Sequence, residues 1–221
     1  MSLKIKGLLK IYNSPQGAKT VFSGLELEIG RGEAFALMGA NGSGKTTLLK
    51  IISSLVLPTS GEVYVCGINA SISRRETIAR TGLVSDADGS FYQMLSVEDN
   101  LKFFARLYGV HEHIIAGRIL NLLDKFKIQD YAKERFAHLS SGIKQRLAFA
   151  RALMHEPEVL LIDEADRSLD EVSLNEISAY IKEECEKSRK TCLVVTHDKA
   201  WAQKYCSRIG LLTGGRVEII P

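Results

Sequence analysis

The chain has 221 residues, 45% of them hydrophobic and 25% charged, enough for one globular unit with a full core and room for an inserted subdomain. A formal net charge of +3, without a basic block of about five residues, gives no basis for nucleic-acid binding by bulk charge. Four scattered cysteines without a CxxC pair suit reduced thiols in a cytosolic protein, the lysine-studded start is no signal peptide, and no apolar run approaches the roughly 18 to 20 residues that span a bilayer.

Along the chain, "KTVFSGLELEIGRGEAFALMG" alternates as two short strands, joined by a turn in which Gly30 and Gly32 supply the loose dihedrals. "TTLLKIISSL" has apolar residues at helical spacing and ends before Pro58, and "PTSGEVYVCG" reads as turn then strand. From "ISRRETIAR" to "AKERFAHL" the pattern is mostly helical. Within it, "SVEDNLKFFARLYGV" opens on Ser96 with Glu98 and Asp99 behind it, a capped and acidic first turn, and "AGRILNLLDKFKI" repeats the period. "SGIKQRLAFARALMHEP" is a helix closed by Pro157. "EVLLID" and "KTCLVVTHD" read as strands buried on both faces, as in a parallel sheet, with the helix "SLNEISAYIKEECEKS" between them. "RIGLLTGGRVEII" is a terminal hairpin turning at Gly214 and Gly215. Strands alternating with helices indicate an α/β core, interrupted by a helical block at roughly 86–138.

Three motifs carry chemistry. Gly39-Ala40-Asn41-Gly42-Ser43-Gly44-Lys45-Thr46 fits G-x-x-x-x-G-K-[ST] between a strand and a helix. Its glycines let backbone N–H groups turn inward around phosphate oxygens, the new helix adds free N–H groups and a favourable dipole, Lys45 neutralises the β- and γ-phosphates, and Thr46 offers a hydroxyl to Mg²⁺. Second, Asp163 and Glu164 end the apolar run "VLLID". Two carboxylates there are costly unless they bind something; an Asp suits Mg²⁺ held through water and the adjoining Glu suits polarising a water molecule. Third, Ser140-Ser141-Gly142 precedes a long helix. Taken alone it is an ordinary N-cap, but beside a phosphate loop in the same chain it also suits a second phosphate site serving a neighbouring subunit.

With these motifs in this order, the chain resembles the nucleotide-binding subunit of ABC transporters from about Lys4 to Val217. "LSSGIKQRLAFARAL", "LSVEDNLKFFARLYG" and "DEADRSLD" are similar to the branch that exports drugs, lipids and polysaccharides. The resemblance implies a P-loop NTPase core with a mostly parallel sheet, an antiparallel N-terminal β subdomain and an inserted helical subdomain: core at 1–85 and 139–221, helical subdomain at 86–138. It implies ATP and Mg²⁺ as ligands. Tyr12 stacks on adenine, and Gly39 to Thr47 (Gly39, Ala40, Asn41, Gly42, Ser43, Gly44, Lys45, Thr46, Thr47) form the phosphate loop. Ser140, Ser141 and Gly142 contact ATP bound to the other subunit, Asp163 is the magnesium-associated acid, Glu164 the general base and His197 the γ-phosphate switch. Ser168-Leu169-Asp170 passes between subunits. The expected partners are transmembrane permease subunits and a second copy or a homologous ATPase subunit, with no nucleic acid. The expected location is cytoplasmic, peripheral on the inner face of the membrane through the permease. A soluble ABC-type switch in an assembly role is the alternative. Three positions depart from the family pattern: Ile143 replaces a Gln in the signature, Ala165 replaces the proline after the Walker Glu, and Asp86 falls where the family places a metal-touching Gln, with Gln93 as the rival candidate. An Asp there approaches the metal but cannot donate hydrogen bonds as an amide does.

Overall fold

The computed structural model describes residues 1–15, 17–85, 89–164 and 171–220. Its described strands form two sheets, one in the order β2-β1-β4-β5 and one in the order β10-β9-β3-β8-β7-β6. The first joins β1 (Leu3–Ser14), β2 (Gly17–Ile29), β4 (Ser60–Val65) and β5 (Ile68–Asn69), with antiparallel pairing throughout. The second contains β3 (Ala34–Met38), β6 (Thr81–Val84), β7 (Val159–Asp163), β8 (Thr191–Val195), β9 (Arg208–Thr213) and β10 (Arg216–Ile220). It is parallel except for the β9–β10 hairpin. The helices are α1 (Lys45–Ile52), α2 (Arg74–Arg80), α3 (Val97–Leu107), α4 (Glu112–Lys125), α5 (Ser141–Leu153), α6 (Glu171–Glu186) and α7 (Lys199–Tyr205).

The alternation of a β-strand explains how the large sheet separates two cores. Ala36 of β3, Ile162 of β7 and Val194 of β8 join the core built with α3, α4 and α5. Their neighbours Leu37, Leu161 and Val195 join the core built with α1 and the antiparallel sheet. Strands covered on both faces read as unbroken apolar runs, which is why "AFALM", "VLLID" and "TCLVV" lack polar alternation. Leu48, Leu49, Ile51 and Ile52 of α1 are all buried in the second core. Truncating one of them to Ala costs about 2–5 kcal/mol, so the helix that follows the phosphate loop is firmly seated.

Three expectations change in detail. The two strands around Gly30 and Gly32 are neighbours in sequence but lie in different sheets, and β2 is 13 residues long. Its solvent face carries Ser23, Glu26 and Glu28, so half its length is polar, unlike β3. Of the two glycines, only Gly32 takes a left-handed φ, 77°; the Gly30 N–H instead donates to Glu33 Oε2 at 2.6 Å. The mostly helical stretch contains β6, an edge strand of the large sheet. Gly82 in β6 has a packing reason: a Cβ there would stand 2.4 Å from the Ala152 carbonyl oxygen of α5.

Candidate nucleotide site

The site lies at the carboxyl ends of β3, β7 and β8, the edge where open parallel sheets place their ligands. The chain leaves β3 at Met38, turns through the glycine-rich loop and starts α1 at Lys45. Gly44 is the N-cap, with φ 109° and no side-chain cap bond, so the first N–H groups of α1 are left to an anion. A Cβ at Gly44 would meet Val21 Cγ1 at 2.6 Å and Phe22 Cε1 at 2.9 Å. The Lys45 side chain is buried, its Nζ donating to the carbonyl oxygens of Gly39 at 2.8 Å and Ala40 at 3.1 Å. The ammonium thus sits inside the loop, where phosphate oxygens would compete with those carbonyls. Ser43 Oγ is buried and lacks a partner, a polar atom in the loop awaiting one.

A cavity of about 270 Å³ opens over the loop, lined by Tyr12, Lys19, Asn41, Lys45, Thr46 and Glu164 among others. Tyr12 is 40% exposed, with the Lys10 ammonium 4.6 Å from its ring centroid. Lys19 was not singled out in the sequence. It faces Tyr12 across the β1–β2 ladder, whose register shifts three times, and only that pairing brings it to the cavity.

Asp163 ends β7 directly beside Val195 of β8. Burial pushes its carboxyl pKa up, the Thr46 hydroxyl beside it pulls down, and the Glu164 carboxylate pushes up again. Its Oδ1 is buried without a partner. A hydroxyl, an orphaned carboxylate oxygen and a nearby second carboxylate suit a hard divalent cation that keeps several waters and takes few protein ligands. Among the described residues no group of three or more His, Cys, Asp or Glu could hold a metal by itself. Glu164 has a left-handed φ of 49°, its N–H donates to the Val195 carbonyl at 3.2 Å, and its Oε1 lies 3.2 Å from His197 Nε2. His197 follows β8 and is set just before α7, whose N-cap Asp198 accepts from the Trp201 N–H at 2.9 Å.

Ser140, Ser141 and Gly142 do not line this cavity. Ser140 caps α5, accepting from the Ile143 N–H at 3.4 Å; Ser140 and Ser141 are exposed. Asp86, Ala165 and Ser168-Leu169-Asp170 lie outside the described residues. Gln93 is tied through its carbonyl to the Ala137 N–H at 3.1 Å.

A glycine-rich loop between a buried parallel strand and a helix, with an acid ending a neighbouring strand and a carboxylate–imidazole pair beside it, defines a P-loop nucleotide hydrolase. The chain belongs to the ABC transporter family, whose model matches residues 22–167. It is 34% identical over 193 residues to the ABC transporter ATP-binding protein NatA of Bacillus subtilis, covering 87% of this chain and 78% of that one. It is 32% identical over 214 residues to a Nod factor export ATP-binding protein I of Cupriavidus metallidurans, covering 97% and 69%. One relative is much longer, and the chain spans 32% of it. Among solved structures it superimposes with a TM-score of 0.89 and 30% identity on a dimeric, post-hydrolysis ATP-binding cassette bound to ADP and phosphate, covering 98% of this chain and 96% of that one. The chain is therefore an ATP-binding and ATP-hydrolysing subunit of the ABC transporter type. Among the described residues no helix is long and apolar enough to cross a membrane.

Proposed function

We propose that this subunit powers an exporter by docking on transmembrane permease subunits at the inner face of the membrane and closing as a pair with a second copy or a homologous ATPase. The observation that carries the reading is one cavity lined by Lys45, Thr46 and Glu164, with Asp163 beside Thr46 and His197 Nε2 beside Glu164 Oε1. Relatives named for Nod factor export and bacitracin transport support the exporter branch.

In this reading Tyr12 stacks on the adenine, and the loop from Gly39 to Thr47 wraps the phosphates. Lys45 exchanges its loop carbonyls for phosphate oxygens. Thr46 and Asp163 hold Mg²⁺, which when bound neutralises phosphate charge. Glu164 accepts a proton from the attacking water, while His197 holds the carboxylate in place and reads the terminal phosphate. Ser140, Ser141 and Gly142 lie on the exposed end of α5 so that they can close on the ATP of the partner. Residues 86–138 form the helical subdomain that passes motion to the permease, and 1–85 with 139–221 form the core. Asp86 takes the metal-side position of the family Gln.

Two experiments test this. Co-purification from detergent-solubilised membranes should retain a transmembrane protein with the tagged chain; recovery of the chain with soluble proteins alone would favour the assembly-factor alternative. ATPase rates against Mg²⁺ concentration should differ between wild type and Asp86→Ala, with Asp86→Gln keeping most activity. Three superimposable curves would remove Asp86 from the metal site.

A further inference from the structure

Among the described strands β6 lies at an edge of the large sheet, and that edge is met by the end of α5 and the residues just after it. Thr81 and Leu83, two residues apart, point their carbonyls out of the sheet edge as a strand requires. His155 Nε2 lies 3.0 Å from the Thr81 oxygen, and Arg151 Nη2 donates to the Leu83 oxygen at 3.3 Å. The missing side chain of Gly82 between them admits the backbone of Ala152. Arg151 also reaches out of the seam: its Nη1 donates to the Ser90 carbonyl at 3.0 Å, and its guanidinium carbon stands 4.7 Å from the Phe91 ring centroid and 5.2 Å from that of Phe104.

Arg151 is 7% exposed as a residue; its guanidinium is expensive to bury, and a Met of similar volume would fill the space without that cost. Its two carbonyl bonds have something Met lacks, which is direction. They join α5 to Leu83 near the end of β6 and to the chain at Ser90, within the helical block. Phe91 carries the connection further, stacking at 4.8 Å on Phe136, four residues before Ser140. The two ends of α5 are thereby set by one cluster.

We propose that Arg151 is a positioning residue for ATP hydrolysis, holding α5 against β6 and Ser90 so that Ser140 at the far end of the helix meets the partner's phosphates. The inference rests on the composite-site reading given above. Ten residues of helix separate Ser141 from Arg151, about 15 Å, so a tilt of roughly 5° at Arg151 moves the signature end by about 1 Å. A displacement of that size costs on the order of 100-fold in rate. The chain's own phosphate loop, set by β3 and α1, is not on this lever.

The test uses the full-length chain with Mg²⁺-ATP and two variants, Arg151→Met and Arg151→Lys. Affinity of the monomer for ATP, ATP-induced dimerisation by sedimentation, kcat and melting temperature are measured on each. In Arg151→Met, ATP affinity should stay within about twofold while dimerisation weakens and kcat falls roughly 10- to 100-fold. Arg151→Lys should recover part of the loss, since an ammonium reaches one carbonyl as a point donor but lacks the fork. A folded Arg151→Met with wild-type dimerisation and kcat overturns the inference. So does a fall of ATP affinity in step with kcat in both variants, which marks general loss of fold. Should Arg151→Met not fold, Arg151→Lys is read alone: intact affinity with lower kcat supports the inference, and no loss or a proportional loss overturns it. A wild type that shows no ATP-induced dimer overturns the composite-site reading and this inference together.

Discussion

His197 Nε2 and Glu164 Oε1 stand 3.2 Å apart at the ends of adjacent parallel strands, each side chain presented by the residue or two just past its strand. The pair has a definite geometry because the Glu164 N–H is bonded to the Val195 carbonyl and His197 is followed by the Asp198 cap of α7. A carboxylate held in this way can take a proton from water without first being ordered.

Glu164→Gln should retain ATP affinity within about twofold and lose at least roughly 100-fold in kcat, because a base acts in the transition state and not in ground-state binding. His197→Ala should lose less affinity than rate as well, and the double variant should be little worse than Glu164→Gln, since residues acting as a unit are non-additive. Single-turnover hydrolysis measures both. Near-normal turnover in Glu164→Gln would remove it from the role of base, and additive losses would separate His197 from it.

The exposed α5 end outside the nucleotide cavity sets up a complementation experiment. In the proposed composite site, Lys45→Ala removes a phosphate contact from its own loop and Ser140→Arg obstructs the site of its partner. Mixed together, they give heterodimers with one site carrying both lesions and one intact site. ATPase activity should rise above that of either variant alone. A mixture as inactive as its parents, where wild type dimerises, would mean that each chain completes its own site.

His155 predicts a pH dependence of stability. Its ring is stacked 4.1 Å from Tyr108 and bonded to the Thr81 carbonyl. Burial holds its pKa below the ordinary histidine value, with the Thr81 bond opposing and the Arg118 charge adding to the depression. The unfolded chain takes up a proton as pH falls through about 6.5, which the native site accepts only at lower pH. Stability from this group is therefore complete above that pH and is lost below it, with a slope of up to about 1.4 kcal/mol per pH unit. Urea midpoints at pH 7.5 and 5.5 should differ more for wild type than for His155→Phe, which keeps a ring against Tyr108 and cannot titrate. Equal pH dependence in the two proteins would show that other groups carry it.

The buried strands and the phosphate loop were readable because each is a local pattern: apolar runs without alternation, a capped helix at Ser96 whose hydroxyl accepts from the Asp99 N–H, and glycines at fixed spacing. Lys19 was not readable, since it reaches the cavity through a ladder with bulges whose register no local pattern states. The same holds for Arg151 and His155, which look like ordinary residues of a helix end. Their role comes from the edge of β6, and edge position is a property of strand order. The first residues of β2, Gly17 and Ala18, are not legible either, since they belong to the strand only through pairing with Ser14 and Asn13 of β1.

Asp163 yields the last prediction, in which stability and ligand binding move in opposite directions. Its carboxyl is partly buried beside Glu164, with Oδ1 unpartnered and its pKa raised first by burial. A carboxyl whose folded pKa lies above its unfolded value contributes stability only at low pH and loses it as pH rises through the folded value. At neutral pH without nucleotide the group is thus a net burden on the fold, a cost that the cation of the proposed site would offset. Asp163→Asn removes the charge and keeps the shape, so its melting temperature without nucleotide should rise, on the order of a few degrees for a chain of this size. Adding Mg²⁺ and ATP should raise the melting temperature of wild type by mass action and that of the variant far less, because the amide offers a cation no charge. Differential scanning fluorimetry with and without Mg²⁺-ATP at pH 7.5 distinguishes the outcomes. A variant that melts below wild type without nucleotide, or that keeps the full Mg²⁺-ATP shift, would mean that Asp163 serves the fold and that the metal is held elsewhere.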